Sequence, residues 1–297
     1  MARYLSKFYF PGKDEEFDFF LSIKRKCYTD FYPFQVLSEK DLETIEFEPV
    51  TILYGGNGSG KTTALNIIGE KLGLQRDSVF NRSSFFESYT ELCDYELEGD
   101  VCTSYENIHT GYIPKDSRII TSDDVFDFML NLRTLNQGID RKREDLFEEY
   151  LQTKYSKFQM NSLDDYEMLK KNNKAKSSTQ SMYVKKSLMK NVREHSNGES
   201  AFRYFTAKIK DNGLYILDEP ENSLSPERQK ELARFIEDGA RFFGDQFIIA
   251  THSPFMLAIK DAKVYDLDST PCIPRKWTEL PNVRAYYDFF KENEKEF

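Results

Sequence analysis

The sequence predicts an α/β protein with a largely parallel sheet and an inserted, mainly helical lobe, and three segments carry that expectation. Val50–Tyr54 (VTILY), residues 214–217 (LYIL) and residues 247–250 (FIIA) are short, continuous apolar runs, the pattern of strands covered on both faces. The first two are each followed by a turn and then by a helical pattern, and strands alternating with helices build parallel sheets.

Each element follows from its residues. After the first run comes a glycine-rich turn, 55–60, and then Lys61-Thr62-Thr63-Ala64-Leu65-Asn66-Ile67-Ile68-Gly69 reads as a helix packed on the sheet. After the second run, residues 226–239 form an amphipathic helix, with Ser225 as N-cap and Pro226 at the first helical position. The third run ends in Thr251-His252-Ser253. Between these blocks, residues 77–195 have few β-branched runs and many polar residues and are expected to form the inserted helical lobe. Helical spacing is present at 124–135, 145–158 and 201–210, while 170–181 (KKNNKAKSSTQS) has the composition of a mobile loop. Residues 139–193 are thus expected to be a basic, partly mobile insertion within one domain spanning 1–297.

Composition narrows the function classes. Of 297 residues, 39% are hydrophobic and 15% aromatic, which separates the chain from disordered sequences. No apolar run approaches the roughly 18 residues of a membrane span, and the start, Met1-Ala2-Arg3-Tyr4-Leu5, leads into charged sequence without an apolar signal core. A cytoplasmic protein without a membrane partner is expected. Cys27, Cys93, Cys102 and Cys272 lie far apart with no CxxC pair, the pattern of reduced thiols rather than of a disulfide framework or zinc ribbon. No heptad pattern persists, which excludes a coiled coil as the main architecture. The net charge of −9 is unevenly spread: residues 141–193 carry thirteen Lys and Arg against seven Asp and Glu, and 168–193 carry no acid. Overall acidity excludes a general nucleic-acid coat, whereas the basic stretch leaves a DNA or phosphate contact open, although such runs are usually solvated faces.

Gly55-Gly56-Asn57-Gly58-Ser59-Gly60-Lys61-Thr62 fits G-x-x-x-x-G-K-[ST], a P-loop, in the strand–turn–helix context that gives the pattern meaning. Glycines let successive backbone N–H groups point at one phosphate chain, and the helix N-terminus adds its dipole. Lys61 is placed to reach the β- and γ-phosphates of ATP and Thr62 to ligate Mg²⁺. Asp218, ending the second apolar strand, is placed to hold the magnesium beside Thr62, and Glu219 to orient or deprotonate the attacking water. His252, after the third strand, is placed to sense the γ-phosphate. Ser196-Asn197-Gly198-Glu199, opening a helix, offers a second anion site, and a two-fold dimer lets each chain close that site over its partner's P-loop.

In this order the motifs resemble those of the ATP-binding-cassette ATPases, and residues 213–229 and 246–254 resemble the small soluble RecF- and SMC-like ATPases of bacteria within that family. The resemblance covers roughly 36–76 and 195–270. It implies a P-loop NTPase with an ABC-ATPase core sheet, ATP and Mg²⁺ as ligands, and dimerisation on ATP binding. It assigns Gly55, Asn57, Gly58, Gly60, Lys61, Thr62 and Thr63 to the P-loop. Ser196, Gly198 and Glu199 match the signature acting in trans, Asp218 the magnesium aspartate, Glu219 the catalytic glutamate and His252 the switch histidine. Two positions depart from the family pattern. Ser225 stands where the loop after Glu219 usually carries Asp, and there is no Gln between Gln75 and Gln137; residues 119–126 resemble the substitute in the RecF-like group, which implies Ser122 or Asp123 in the glutamine's role at the metal.

The expected function is ATP binding and hydrolysis that drives dimerisation and gates a partner, either DNA or a DNA-acting effector of the repair or phage-defence kind. The alternative is a slow nucleotide-dependent scaffold or sensor that recruits a toxin or nuclease. A transporter subunit ranks below both, because the Gln-bearing coupling loop is missing. Residues 28–34, rich in aromatics, are the expected region for adenine stacking.

Overall fold

The computed structural model describes residues 2–24, 27–28, 30–102, 107–108, 110–155, 166–188, 197–222 and 224–296. It divides into two compact units, Met1–Val125 with Asn197–Phe297, and Phe126–Ser196.

The first unit contains β1 (Leu5–Tyr9), α1 (Lys13–Ser22), β2 (Thr44–Glu46), β3 (Val50–Tyr54), α2 (Lys61–Lys71), α3 (Phe86–Leu92), β4 (Asp94–Leu97), the short pair β5 (Val101–Cys102) and β6 (Asn107–Ile108), β7 (Arg118–Thr121) and the start of α4 (Ser122–Tyr155). After the second unit, which holds the rest of α4 with α5 (Tyr166–Ser177) and α6 (Gln180–Ser187), the chain returns through α7 (Asn197–Lys208), β8 (Leu214–Asp218), α8 (Pro226–Asp238), β9 (Gln246–Thr251), α9 (Pro254–Leu257), β10 (Lys263–Asp266), β11 (Ile273–Pro274) and α10 (Pro281–Glu292).

All three expected strands form and lie side by side. The main sheet has the order β11-β10-β3-β9-β8-β7, parallel throughout except for β11. Every residue of β3, β8 and β9 is buried, as continuous apolar runs require of strands covered on both faces. A second sheet, β2-β1-β4, is antiparallel. Gln246, fully buried, ties the two together: its Oε1 accepts from Tyr4 N (2.8 Å) and Leu5 N (2.9 Å), and its Nε2 donates to Leu5 O (2.8 Å). A buried amide so satisfied orients the β1 strand instead of destabilising the core.

The boundary of the insertion differs from the expected 77–195. Residues 77–125 belong to the first unit, because β4 pairs with β1 and β7 pairs with β8. The β7 strand is only four residues long, too short for a periodicity to show, yet Ile119 and Ile120 are buried in the sheet.

The two helices expected at 124–135 and 145–158 are, as far as Tyr155, one continuous helix, α4; residues 156–158 lie outside the described residues. The segment 170–181, expected as a loop, is instead the end of α5 and the start of α6, with a break at Ser178-Thr179. Lys and Ala favour helix, and Ala175 is fully buried in a small core with Tyr150, Tyr183 and Val184. Thr179 caps α6, accepting from Met182 N.

Candidate functional site

Parallel register brings the chemistry-bearing turns to one edge. Tyr54 is opposite Thr251, Ala250 opposite Asp218 and Thr121 opposite Asp218. The turn after β3, the His252 turn after β9, Glu219 after β8 and Ser122 after β7 therefore emerge together from the carboxyl ends of four neighbouring strands, where open α/β sheets bind ligands.

The P-loop has the conformation its glycines allow. Gly58 and Gly60 have φ of +79° and +95°, in the left-handed region that disfavours side chains. A Cβ at Gly60 would also meet the Val36 and Leu37 side chains at 3.2 Å, so a side chain there is strained by the backbone and crowds both neighbours. Gly56, Asn57 and Gly58 form the exposed tip, while the buried Ser59 hydroxyl has no hydrogen-bond partner among the described residues. Lys61, also buried, folds back on the loop, donating to Gly55 O (2.7 Å) and Gly56 O (3.0 Å). The Thr63 hydroxyl accepts from the Tyr32 hydroxyl at 3.2 Å. Of the aromatic stretch 28–34, Tyr32 is thus in contact with the loop's helix, whereas Phe31 and Phe34 pack into an aromatic cluster with Phe20.

Thr62 Oγ1 donates to Asp218 Oδ1 at 3.1 Å, so the two expected magnesium residues meet across 156 residues of sequence. Burial pushes the Asp218 carboxyl up to about 6, with neighbouring Glu219 adding to the rise and the Thr62 hydrogen bond opposing it. Glu219 has φ of +47°, a conformation unusual for a non-glycine residue and held here by Glu219 N donating to Ala250 O (2.9 Å). Its carboxylate accepts from Asn222 Nδ2 (3.0 Å). Ser225 caps α8, accepting from Arg228 N (3.4 Å), with Pro226 next, as its sequence predicts.

His252 is half-exposed. Its backbone N–H donates to Glu221 Oε1 (3.0 Å), its Nδ1 lies 3.5 Å from the same oxygen, and its carbonyl accepts from Asn282 Nδ2 (3.2 Å). Gly198 and Glu199 sit in the first turn of α7, where Glu199 pairs with Arg203 (3.3 Å) along the helix. That helix begins four residues earlier than the expected 201. Ser196 lies outside the described residues. Ser122 and Asp123 open α4 at the end of β7, one strand from Asp218.

Four further residues enter the site without a motif to mark them. Glu221 Oε1 gathers the Thr251 hydroxyl (2.6 Å), His252 N and Ser253 N (3.2 Å), and so sets the shape of the His252 turn. Asp268, just past β10, accepts from the P-loop's Gly56 N at 2.8 Å. Asp124 is buried, accepting from Thr121 N (2.7 Å) with one oxygen, while the other has no partner among the described residues. Arg76 donates to Asn66 Oδ1 (3.0 Å) and lies over the Phe80 ring (4.2 Å); burial lowers its pKa, opposed chiefly by the charge of Asp124 and also by that of Asp218. Sequence offered a signal only for Glu221, which sits in the same acidic run as Asp218. The other three act through contacts between distant segments.

Residues 69–258, more than half of the chain, match the family described as "AAA domain, putative AbiEii toxin, Type IV TA system". No curated protein matches. Among solved structures, the Smc head domain from Pyrococcus furiosus, with an extended coiled coil and bound to the C-terminal domain of ScpA, is 15% identical, with 84% of this chain and 95% of that one covered and a TM-score of 0.41. The SMC head domain from Thermotoga maritima is 14% identical, with 93% and 99% covered and a TM-score of 0.38. A dimeric ATP-binding cassette in a post-hydrolysis state, bound to ADP and Pi, is 14% identical, with 80% and 90% covered and a TM-score of 0.36. Among the described residues no helix is long and apolar enough to cross a membrane. The match over residues 69–258 leads to one conclusion: the chain belongs to this AAA-domain family.

Proposed function

We propose that the chain binds Mg-ATP, dimerises around it and hydrolyses it, and that this cycle gates a partner. The supporting observation is the Thr62–Asp218 contact of 3.1 Å with Glu219 next in sequence and the His252 turn on the adjoining strand. The residues suit the ligands. An exposed glycine tip, a buried Ser59 hydroxyl without a partner among the described residues and a buried lysine at a helix N-terminus form a cradle for phosphates. Thr62 and Asp218 supply the hard oxygen donors that magnesium prefers, and the bound ion neutralises phosphate charge. Asp218 must be ionised to serve, and a cation beside it favours that form.

In this reading Lys61 leaves the carbonyls of Gly55 and Gly56 and turns to the phosphates. Glu219 takes a proton from water as its oxygen bonds to the γ-phosphorus; the bond to the bridging oxygen breaks, giving ADP and phosphate. His252 contacts the γ-phosphate, held by Glu221 and Asn282. Ser196, Gly198 and Glu199 act on the nucleotide of the second copy. The partner is DNA or a DNA-acting effector. Lys170, Lys171, Lys174 and Lys176 on α5 and Lys185 and Lys186 on α6 are all exposed and provide the basic surface that DNA requires.

The test is a Glu219→Gln chain mixed with ATP on a sizing column, where a stable dimer is expected. A Glu219→Gln monomer, together with wild-type hydrolysis no faster than that of Lys61→Ala, rejects the proposal. A second reading, a slow sensor that recruits a toxin or nuclease, is favoured by Ser225 and by the absence of a Gln between Gln75 and Gln137. Single-turnover hydrolysis with and without DNA separates the two.

A further inference from the structure

The turn that carries His252 forms one wall of an apolar groove. The groove has a volume of about 730 Å³, and its other walls come from α8, α9 and α10 and from the segment that precedes α10. The sequence of α10, PNVRAYYDFFKE, is unusual for a surface helix. Apolar side chains on such helices normally turn inward, and Val283 does, but Tyr286, Tyr287 and Trp277 on the groove are 46%, 53% and 37% exposed. Grouped aromatic exposure of this kind marks an interaction surface, whereas scattered single residues do not.

The groove also has an unmet polar requirement. Glu221 lines it and is only 5% exposed. Its Oε1 takes three donors, but its Oε2 has no hydrogen-bond partner among the described residues. A buried carboxylate oxygen without a donor is costly, and a cationic donor offsets that cost best. Arg284 at the rim does not fill this role, since it faces Asp288 (3.7 Å) and the Tyr287 ring (5.1 Å).

We infer that this groove docks an amphipathic segment of a partner protein, which lays apolar side chains on Trp277, Tyr286 and Tyr287 and sets one Lys or Arg toward Glu221. Complementarity argues for that chemistry: aromatic walls accept apolar side chains and the stem of a long basic one, and the carboxylate accepts its head. The position argues for coupling. Glu221 holds the His252 turn from one side and Asn282, at the start of α10, holds its carbonyl from the other. An occupant that engages Glu221 and the α10 residues beside Asn282 stiffens the turn. Only this coupling rests on the proposed ATPase cycle; docking itself does not.

A displayed library of random 16-residue peptides, selected on the full chain and counterselected on a Tyr286→Glu/Tyr287→Glu chain, tests this directly. The expected winners carry one Lys or Arg flanked by apolar residues at helical spacing. A synthetic winner, labelled for fluorescence anisotropy, is expected to bind at least tenfold more weakly to Glu221→Gln and to Trp277→Ala, each measured at a temperature where circular dichroism shows it fully folded. Absence of enrichment, winners without a basic residue, or affinity unmoved in both variants overturns the inference. So does a wild-type chain that is dimeric without nucleotide and becomes monomeric on Tyr286→Glu, which makes the groove an interface between copies. Because binding is measured without nucleotide, a chain that fails to hydrolyse ATP leaves this result standing. If hydrolysis is confirmed, the peptide is expected to change its rate at least threefold, and an unchanged rate rejects the coupling.

Discussion

Replacing Glu221 by Leu deprives two protected donors of their acceptor. In the folded chain Glu221 Oε1 serves the Thr251 hydroxyl at 2.6 Å, His252 N at 3.0 Å and Ser253 N at 3.2 Å. Ser253 N retains the Thr251 hydroxyl oxygen at 3.0 Å, so the loss falls on Thr251 and His252. Hydrogen bonds to a charged group are worth about 1.5–3 kcal/mol each, so Glu221→Leu is expected to cost about 3–6 kcal/mol. That is a large share of the roughly 5–15 kcal/mol that holds a domain together. Glu221→Gln keeps an oxygen in place for all three donors and is expected to cost less than half as much. Urea unfolding followed by far-UV circular dichroism measures both, and turnover at matched folded fraction shows whether the His252 turn is displaced. A loss under 1 kcal/mol for Glu221→Leu, or equal losses for the two variants, refutes the view that this carboxylate holds the turn.

Other consequences follow from single interactions. Asp268→Ala removes the acceptor that fixes Gly56 N and is expected to weaken ATP binding about threefold to tenfold, the worth of one hydrogen bond; fluorescent-nucleotide titration reads it, and unchanged affinity discards the role. Burial pushes the Asp245 carboxyl up to about 6, above its unfolded value, so its stabilising effect is fully present below about pH 4 and is lost as pH rises through 6. This group is expected to make the chain about 1 kcal/mol more stable at pH 5 than at pH 7, and Asp245→Asn, which keeps an acceptor for Gly213 N, is expected to remove that difference in melts at the two pH values. If α5 binds DNA, replacing Lys170, Lys171, Lys174 and Lys176 by Gln is expected to lower affinity and flatten its dependence on salt, by about one unit of slope for each phosphate no longer neutralised; an unchanged slope removes α5 from the interface.

Much of the core is legible in the sequence because its signals are local. The P-loop needs glycine where φ is positive and a lysine opening a helix, and both stand within eight residues. Ser225 and Pro226 announce the start of α8 in the same way. The insertion is less legible. A four-residue strand such as β7 has no period to detect, and the polar run at 170–181 gives no sign that Ala175 will be buried. Residues such as Asp124, Arg76 and Asp268 carry no motif, since their importance arises only when distant segments meet.

What the chain encodes by itself is the set of parts: three buried strands, a phosphate loop, two adjacent carboxylates and a histidine turn, each specified by neighbours in sequence through backbone sterics, capping and apolar patterning. What tertiary structure decides is their meeting. Parallel pairing places β9 between β3 and β8, aligns their carboxyl ends and brings Thr62 to Asp218 across 156 residues. It also sets Glu221 beneath the His252 turn and Asp268 against Gly56. Such contacts follow from strand register, and register is specified by how the sheet buries its faces on packing.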